Sequence, residues 1–325
     1  MRIAVVGAGI SGLAAAARLA ESGQRVVVLD KGRGPGGRAT TRRRAGHQFD
    51  HGAQYFTTRD PRFARRVASW RESGLVAEWR PRLATIGSSV EPSSVERLVG
   101  VPGMDALAKS LASSLDVKSR VRAESLERTG AGWLVRDASG ELLAEADGVV
   151  IAIPPAQAKD LIPPGEPLAD RVDPLRLAPC WAVLAAFDGP VEVGFDAAFV
   201  NAGPLRWIAD DSSKPGRPMG AAWVLHASPE WSVRNSELPR ERIATELLAA
   251  LDDAAGMRFP EPAYVEAHRW RFAIPSDTAS SAGPSWDSSS RLGVCGDWCH
   301  NEGRLEGAWV SGIELADLVL HGAGP

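Results

Sequence analysis

Three glycines near the start of the chain, Gly7, Gly9 and Gly12, have the spacing of a loop that binds a pyrophosphate. In such a loop the first glycine permits a tight turn, the second lets the backbone approach the phosphates, and the third lets a helix pack closely on a strand. The helix predicted after the loop offers free N–H groups and the positive end of its dipole to the same phosphates, and Ile10 and Ser11 of the loop are further candidate ligands. These residues predict a nucleotide site.

The segments on either side of the loop have the patterns needed to hold it at the end of a sheet. Residues 2–6 are a short apolar run typical of a buried parallel strand, residues 13–22 are typical of a helix, and residues 25–29 are a second apolar run. Asp30 follows, 18 residues after Gly12, where its carboxylate can accept hydrogen bonds from a ribose. A generic glycine turn needs none of this context, so the β-α-β pattern favours a dinucleotide.

A second glycine-rich segment comes directly after Asp30 and Lys31. Gly36 and Gly37 permit another close approach of the backbone, and Arg38 can make two parallel hydrogen bonds to a phosphate. A glycine doublet followed by arginine resembles the signature of the flavin amine-oxidase-like group, where it continues the contact with the diphosphate of FAD. The resemblance implies FAD as the cofactor, with Lys31, Gly37 and Arg38 among its ligands; a solvated loop arginine is the alternative for Arg38.

A motif near the other end of the chain supports the same cofactor. Gly296 and Asp297 end an apolar run, and Gly307 and Ala308 open a helical pattern. In flavoproteins that this chain resembles, the aspartate approaches the ribityl chain or a phosphate. The helix N-terminus points at the pyrimidine edge of the flavin, where its dipole stabilises negative charge. Val121 stands where the group uses a strand backbone to hold adenine. A plain NAD dehydrogenase has no use for this second motif.

The resemblance covers nearly the whole chain and narrows to the renalase family, most closely to its bacterial members. It rests on residues 50–57, 224–226, 268–271, 295–299 and 303–309, together with Arg206, Trp207 and Asp211. Membership implies non-covalent FAD, held also by Ala53 and Gln54, and oxidation of the 2- or 6-dihydro isomers of NAD(P) to NAD(P)+. Hydride would pass to flavin N5, oxygen would be reduced to hydrogen peroxide, and the role would be metabolite repair.

The implied reaction needs no acid or base from the protein. A hydride that leaves a dihydropyridine yields an aromatic cation and releases no proton, so positioning matters more than proton transfer. We therefore predict no catalytic acid or base. The chain has five lysines, and none lies in the strand predicted at residues 263–272, which argues against amine oxidation. A flavin amine oxidase or desaturase, a non-catalytic flavin-binding redox sensor and a plain NAD dehydrogenase are the alternatives.

The substrate candidates come from the segment after Gln54 and from a second predicted sheet. Aromatic members would bound the pocket or cover the flavin, and polar members would meet the polar parts and phosphates of a dinucleotide. Ordinary packing, a surface arginine or a structural histidine is the alternative for these residues. The candidates are Tyr55, Phe56, Thr57, Thr58, Arg59, Arg97, Arg206, Asp211, His226 and Trp270.

The order of the predicted elements indicates an α/β fold class. A Rossmann-like FAD-binding domain is interleaved with a smaller α+β substrate domain, and the renalase resemblance implies the p-hydroxybenzoate-hydroxylase type. Residues 80–100 are interpreted as irregular, and residues 117–124 as the first strand of a small antiparallel meander. The FAD-binding domain is predicted at residues 1–75, 100–160 and 285–325, and the substrate domain at residues 76–99 and 161–284.

Composition limits the classes of partner. A net charge of −3 over 325 residues gives no field for nucleic acid or an anionic membrane, and no apolar run reaches the roughly 20 residues that cross a bilayer. Three cysteines exclude a disulfide scaffold and favour a reducing compartment, so we expect a cytoplasmic protein. Cys295 and Cys299 lack a matching His/Cys pair, so no metal is predicted. The expected partners are a small-molecule dinucleotide and O2, and the oligomeric state stays open.

Overall fold

A computed structural model of the chain describes residues 1–88, 95–275, 283–300 and 304–322. Short 3₁₀ turns lie at Gly37–Ala39, Asp211–Ser213 and Asp297–Cys299. The strands are β1 (Arg2–Val6), β2 (Arg25–Asp30), β3 (Arg42–Arg44), β4 (His47–Phe49), β5 (Val76–Trp79), β6 (Leu83–Ile86), β7 (Arg97–Gly100), β8 (Asp116–Ser119), β9 (Ser125–Thr129), β10 (Gly132–Arg136), β11 (Leu142–Ala146), β12 (Gly148–Ile151), β13 (Leu177–Phe187), β14 (Ala197–Val200), β15 (Leu205–Asp210), β16 (Ala221–Ala227), β17 (Tyr264–Pro275), β18 (Ser285–Asp287) and β19 (Leu292–Val294). The helices are α1 (Ile10–Glu21), α2 (Pro61–Glu72), α3 (Asp105–Ala112), α4 (Pro155–Leu161), α5 (Pro167–Val172), α6 (Pro229–Arg234), α7 (Arg240–Ala255) and α8 (Leu305–His321).

The first sheet has the strand order β18-β19-β12-β1-β2-β8. Its strands are parallel from β19 to β8, and β18 pairs antiparallel with β19 at one edge. Strand β1 lies between β2 and β12. After β1 the chain adds β2 and β8 on one side of it, and later adds β12, β18 and β19 on the other side. In sheets of this kind the ligand crevice forms at the carboxyl ends of the strands where that direction reverses. A site is therefore expected at the carboxyl ends of β1 and β12.

Helices α1 and α8, from opposite ends of the chain, pack closely together. The alanine-rich face of α1 is buried, and Leu13 and Leu19 of α1 share one core cluster with Leu315 of α8. Burying each of these leucines stabilises the fold by about 1.5–3 kcal/mol. Gly312 of α8 makes the contact possible, because a Cβ there would lie 2.2 Å from the backbone oxygen of Ser11. The C-terminal segment is thus joined to the first β-α-β unit.

The second sheet has the strand order β17-β13-β16-β15-β14-β6 and is antiparallel except between β14 and β6. Helix α7 covers one face, because Ile243, Leu247 and Leu251 recur every four residues along it and are completely buried there. Trp207 and Ala209 of β15 instead belong to the core cluster of the first sheet. Helix α7 therefore packs on one face of the second sheet, and the core of the first sheet packs on the other face.

Two local predictions were wrong. Residues 80–100 contain β6, which pairs in parallel with β14, and β7, which pairs with β5. Residues 116–119 form β8, which extends the parallel sheet beside β2, so the meander begins only at β9. These strands are four residues long, too short for their own periodicity to be read. Pairing with distant strands makes them part of a sheet.

The two sheets confirm the predicted α/β fold class. Strands of the first sheet come from residues 2–30, 116–119, 148–151 and 285–294, and those of the second from 83–86 and 177–275, so the sheets alternate along the chain. Strands β9, β10 and β11 form a separate three-stranded sheet. The exact domain boundaries stay a prediction. Within the described ranges, no helix combines the length and apolarity that crossing a membrane requires.

Candidate functional site

The glycine-rich loop joins the carboxyl end of β1 to the N-terminus of α1. Gly7 has a φ of +108°, and a Cβ there would lie 2.6 Å from the backbone oxygen of Ala152, so an L side chain is excluded on both grounds. A Cβ at Gly12 would lie 2.0 Å from the oxygen of Gly7. At Gly9 a Cβ would meet nothing within 4 Å. The loop is therefore closely packed at its two ends and open in the middle, as a phosphate cradle requires.

Asp30 ends β2 beside this loop and holds it in place. Its Oδ2 accepts a hydrogen bond from the Ala8 N–H at 2.6 Å, and its Oδ1 accepts one from the Gly32 N–H at 2.6 Å. The Val121 N–H donates to the backbone oxygen of Asp30 at 3.0 Å, which places Val121 just beyond β8 at the same edge of the sheet. Each carboxylate oxygen keeps a further lone pair, so the geometry leaves room for the predicted ribose contact.

Three other predicted ligands flank the loop. Ile10 and Ser11 form the buried first turn of α1. Lys31 follows Asp30, its Nζ donates to Gln157 Oε1 at 3.0 Å, and burial lowers its pKa. The structure thus brings these residues to one edge of the sheet, and their contact with a cofactor stays a prediction.

The second glycine segment folds back on the first, and Gly9 and Gly36 form a parallel β-bridge. Gly37 begins a 3₁₀ turn, and Arg38 in that turn donates twice to the Asp297 carboxylate, at 2.8 and 2.6 Å. The Asp297 side chain is only 5% exposed, so its charge needs a cationic partner. Two residues predicted as separate FAD ligands are therefore bound to each other, and the Arg38 fork expected on a phosphate is occupied by a carboxylate.

The C-terminal motif lies at the same edge of the sheet. The Gly296 N–H donates to Ser311 Oγ at 3.0 Å, which ties the turn after β19 to α8. Gly307 and Ala308 lie in the first turn of α8, as predicted for a helix that points at the cofactor. The Cys295 thiol is buried, and burial raises its pKa to about 12. In the part of the chain that the structure describes, no group of three or more His, Cys, Asp or Glu side chains could hold a metal ion.

The Gln54 side chain was predicted to bind the cofactor, but it is used within the protein. Its Oε1 accepts hydrogen bonds from Trp207 Nε1 at 3.1 Å and from Lys214 Nζ at 3.2 Å. Its Nε2 donates to the backbone oxygen of Asp50. Because this amide is buried and both of its polar atoms have protein partners, only the Gln54 backbone is left to face a cofactor.

The backbone oxygen of His51 binds side chains from two strands of the second sheet. It accepts hydrogen bonds from Trp270 Nε1 at 2.8 Å and His226 Nε2 at 3.1 Å. The rings of His51, His268 and Trp270 have centroids 4.5 to 4.9 Å apart. Burial lowers the pKa of His51 to about 2 and that of His226 and of His268 to about 4. These four residues, here called the imidazole–indole cluster, are therefore uncharged at pH 7.

The imidazole–indole cluster lies directly beside the second glycine segment. The Ala53 N–H donates to the Arg38 oxygen at 2.9 Å. A Cβ at Gly52 would lie 2.0 Å from that oxygen and 3.3 Å from the Trp270 ring, so only glycine fits between them. This contact places Trp270 at the edge of the predicted cofactor crevice, where it was expected to cover the flavin.

Acid is expected to destabilise the protein through these neutral imidazoles. A histidine with a lowered folded-state pKa contributes stability above its unfolded pKa of about 6.5, and that stability is lost as the pH falls toward the folded-state value. For His226 the folded-state pKa is about 4. Its contribution to the free energy of unfolding should therefore fall by about 1 kcal/mol per pH unit between about pH 6 and 4.5. Urea unfolding measured across this pH range tests the prediction.

The variant His226→Gln isolates this contribution, because glutamine keeps a donor for the His51 oxygen and removes the titrating group. Its stability should depend on pH less steeply than that of the wild type, by about 1 kcal/mol per unit. His321→Gln is the matched control, since the His321 side chain is exposed at the end of α8. Equal slopes in all three proteins would contradict a neutral His226 in the folded protein.

The predicted substrate residues after the loop have different environments. Tyr55 is half-buried, its ring centroid lies 5.5 Å from that of Trp207, and the Arg97 guanidinium lies 5.4 Å from its ring centroid. Arg97 is only 7% exposed, so it is neither a surface arginine nor open to a phosphate. Phe56 was expected to bound the pocket, but it is 4% exposed and forms a β-bridge with Leu98. Phe56 is a core residue.

Thr57, Thr58 and Arg59 continue toward the N-terminus of α8. The two threonines are half-buried and Arg59 is exposed. The Arg59 N–H donates to Glu306 Oε1 at 2.6 Å. Arg59, Glu306 and Gly307 help to line an open cleft of about 350 Å³. These three residues therefore lie where a ligand could reach the start of α8.

Arg206, Asp211 and His226 were expected to gather at the substrate, and the structure separates Asp211 from the other two. Arg206 is exposed on β15, and its charge contributes to the low pKa of His226 on the neighbouring β16. Asp211 has no exposed surface and pairs with Lys214. Burial raises the pKa of Asp211 to about 6. Asp211 therefore cannot touch a substrate.

Apart from the substrate candidate Asp211, the buried charges around Asp50 were not predicted from the sequence. Its carboxylate accepts a hydrogen bond from Thr41 Oγ1 at 2.6 Å and pairs with Arg217 and Lys214. Burial opposes the charge of Asp50, but the two cations outweigh it and lower its pKa. No sequence signal marks this cluster, because Arg217 and Asp211 stand 167 and 161 residues away from Asp50.

Comparison with known proteins identifies the class of protein. Residues 5–72 match the model of an NAD(P)-binding Rossmann-like domain, and residues 81–320 match that of a flavin containing amine oxidoreductase. The chain belongs to the flavin containing amine oxidoreductase family. The family match confirms FAD as the cofactor. The alternative prediction of a plain NAD dehydrogenase is therefore wrong.

The similar proteins fall into two groups: some match this chain in a short stretch of sequence, and others match its fold at low sequence identity. Over 52 residues the chain is 48% identical to a 4,4'-diapophytoene desaturase (4,4'-diaponeurosporene-forming) of Staphylococcus aureus strain Newman. That stretch is 16% of this chain and 10% of the desaturase. Wild-type putrescine oxidase bound to putrescine has a TM-score of 0.76 at 15% identity, with 99% of each chain covered. A putrescine oxidase variant from a redesign of cofactor binding has a TM-score of 0.78 at 16% identity, with 99% of this chain and 100% of that chain covered.

The residues at the carboxyl edge of the first sheet fit FAD. The open space above Gly9 is a cradle that a Cβ would fill, and it faces the same edge as Asp30 and Val121. Asp30 and Asp297 would hold the two nucleotide halves. The Ala8 N–H donates to Asp30, the Gly36 N–H donates to the Ala8 oxygen, and Arg38 of the second glycine segment pairs with Asp297. These residues therefore fit the cofactor of the flavin containing amine oxidoreductase family.

Proposed function

We propose that this protein is an oxidase that takes a hydride from the 2- or 6-dihydro isomers of NAD(P) and returns NAD(P)+. The observation that carries the proposal is the absence of a lysine from the imidazole–indole cluster beside the crevice. All five lysines lie in the described residues, and four have partners outside this cluster: Lys31 with Gln157, Lys109 with Asp105, Lys118 with the Leu143 oxygen and Lys159 with Asp173. Lys214 lies closer, since its Nζ donates to Gln54 Oε1 and its charge acts on His226, but it pairs with Asp211 and has no exposed surface. An amine must lose a proton before oxidation, whereas a dihydropyridine releases none.

The neutral cluster suits a product that is a cation. His51, His226 and His268 carry no charge at neutral pH, so they do not oppose the positive charge that develops on a nicotinamide ring. Trp270 offers a flat apolar face for a planar ring. Arg206 is exposed, and its positive charge would attract the pyrophosphate of a dinucleotide. The residues around Gly9, Asp30 and Asp297 would hold FAD, and bound FAD would supply the hydride acceptor at N5; with a proton from solvent, the two electrons would reduce O2 to hydrogen peroxide.

The proposal extends to the setting of the reaction. The expected partners are the dinucleotide and O2, without nucleic acid or membrane. Cys180, Cys295 and Cys299 are free and buried, which suits a reducing compartment such as the cytoplasm. The role would be repair of damaged nicotinamide cofactors.

Anaerobic mixing of the FAD-loaded protein with borohydride-reduced NAD+ tests the activity, because that mixture contains the C2, C4 and C6 isomers. We expect the visible absorbance of oxidised flavin to be lost with the 2- or 6-dihydro isomer and to persist with purified C4 isomer. Admission of air should restore the absorbance and form hydrogen peroxide. Flavin that stays oxidised with every isomer would overturn the proposal.

Oxidation of an amine, or a desaturation, is the second candidate. The family model and the short match to a desaturase favour it. Putrescine and other primary amines, mixed with the protein under the same anaerobic conditions, distinguish the two candidates. Bleaching by an amine and by no dihydronicotinamide would establish this second function.

A further inference from the structure

We infer that four buried charged side chains, Asp50, Asp211, Lys214 and Arg217, position the loop from Asp50 to Gln54 against the FAD site. They are called the buried charge cluster below. Lys214 is then a positioning residue, and its amine is not a base for the reaction. The inference concerns how the protein holds FAD, so it is independent of which donor reduces the flavin.

The buried charge cluster is balanced and closed to water. The side chains of Asp50, Asp211 and Lys214 have no exposed surface, and that of Arg217 is 1% exposed. Lys214 Nζ contacts the Asp211 carboxylate and lies 3.6 Å from Asp50 Oδ2, which Arg217 also contacts. Two cations thus face two carboxylates. Removing one member would leave an uncompensated buried charge, which is costly.

The buried charge cluster holds both ends of the loop. At the first end, the Asp50 N–H donates to the Asp211 carboxylate, and the Met104 N–H donates to Asp50 Oδ1 at 3.1 Å. At the other end, Lys214 Nζ donates to Gln54 Oε1 at 3.2 Å. The Gln54 amide then closes the loop by donating to the Asp50 backbone oxygen. The conformation of the loop is therefore set by charges that lie behind it.

The middle of the loop, Gly52 and Ala53, contacts the second glycine segment at the predicted FAD site. The Ala53 N–H is bound to the Arg38 oxygen, and Arg38 is paired with Asp297. Gly52 is packed so tightly against the same Arg38 oxygen that a Cβ would lie 2.0 Å from it. A displacement of Gln54 cannot leave this contact unchanged. The buried charge cluster should therefore affect the binding of FAD, although none of its side chains faces the crevice.

Lys214 is unsuited to act as a base. Its side chain is completely buried, and its Nζ lies 5.3 Å from the ring centroid of Trp79. Its ammonium contacts the Asp211 carboxylate, donates to Gln54 Oε1 at 3.2 Å and lies 3.6 Å from Asp50 Oδ2 as an ion pair. With no exposed surface, this ammonium has no path to a substrate. Its chemistry is to hold the two carboxylates and the amide together.

The test measures FAD dissociation from holoenzyme variants by the rise of flavin fluorescence on dilution, together with the visible circular dichroism of the bound flavin. Lys214→Met should weaken FAD binding by about tenfold or more and alter the dichroism. The matched control is Leu247→Ala, which leaves a cavity under α7 in the second sheet and touches neither the loop nor the crevice. It should lose thermal stability but keep the affinity and spectrum of the wild type.

Two more variants separate positioning from general stability. Asp211→Asn keeps the shape of the side chain and removes one negative charge, and it decides the question if Lys214→Met does not fold. It should weaken FAD binding severalfold. The double variant Asp211→Asn with Lys214→Met restores the charge balance and should bind FAD more tightly than Lys214→Met alone. Variants whose FAD affinity and dichroism match those of Leu247→Ala at equal loss of thermal stability would overturn the inference.

Discussion

Gly9→Ala is expected to weaken FAD binding by about 100-fold, or about 2.7 kcal/mol, while leaving the stability of the polypeptide almost unchanged. Gly9 has a φ of −75°, which alanine adopts freely, and a new Cβ would meet no protein atom within 4 Å. The methyl group would instead occupy the space in which the diphosphate approaches the backbone. Flavin retained after gel filtration and urea unfolding of the FAD-free protein measure the two quantities.

Gly12→Ala is the matched control for this prediction, because the same methyl group meets protein there. Its Cβ would lie 2.0 Å from the backbone oxygen of Gly7 and 3.0 Å from the Ala152 Cβ. Helix α1 would have to move off β1, so the stability should fall by about 3 kcal/mol or more, with or without FAD. A Gly9→Ala protein that retains FAD like the wild type would show that the diphosphate lies elsewhere.

Arg38→Met is expected to lower the free energy of unfolding by about 3 kcal/mol and to weaken FAD binding as well. The change removes both hydrogen bonds to the Asp297 carboxylate, which is 5% exposed and would be left without a cationic partner. It also removes the donor to the Ala273 oxygen on β17. The expected loss of stability is at the low end of the range of about 3–5 kcal/mol for breaking a buried ion pair, because the Arg38 side chain is 32% exposed. Chemical denaturation of wild type and variant gives the difference.

Adding Asp297→Asn to Arg38→Met should recover most of the lost stability, because the double variant no longer buries an unpaired charge. Arg242→Met serves as the control, since Arg242 pairs with Glu246 on the exposed surface of α7 and should contribute less than about 1 kcal/mol. Additive effects of the two changes at Arg38 and Asp297 would contradict their direct pairing.

Much of the cofactor half of the site could be predicted from short motifs. The spacing of Gly7, Gly9 and Gly12, and the acid after β2, act through contacts within one β-α-β unit, so local sequence carries the information. The motif around Asp297 could be recognised because a Gly-Asp pair after an apolar strand and before a helix is distinctive. The pairing of Asp297 with Arg38 was not predicted. That pairing joins residues 259 positions apart.

The substrate half was predicted less well because its residues were chosen by chemical type. Asp211, Arg97 and Phe56 have the polar or aromatic character of binding residues, yet the fold uses all three in its interior. A carboxylate and a lysine look alike in sequence whether they face a crevice or each other. Burial decides between these roles, and burial depends on how the two sheets meet.

By itself, the amino-acid sequence determined the glycine loops, the apolar strands and helices beside them, and hence an α/β fold with a nucleotide site. Those features follow from backbone conformation and periodicity over a few neighbouring residues. The tertiary structure alone decided that Lys214 is enclosed with Asp50 and Asp211, and that the His51 oxygen joins His226 and Trp270. The physical reason is that a buried charge or polar group is satisfied by whichever partner the packing brings near, and 160 residues separate Lys214 from Gln54, its hydrogen-bond partner in the loop.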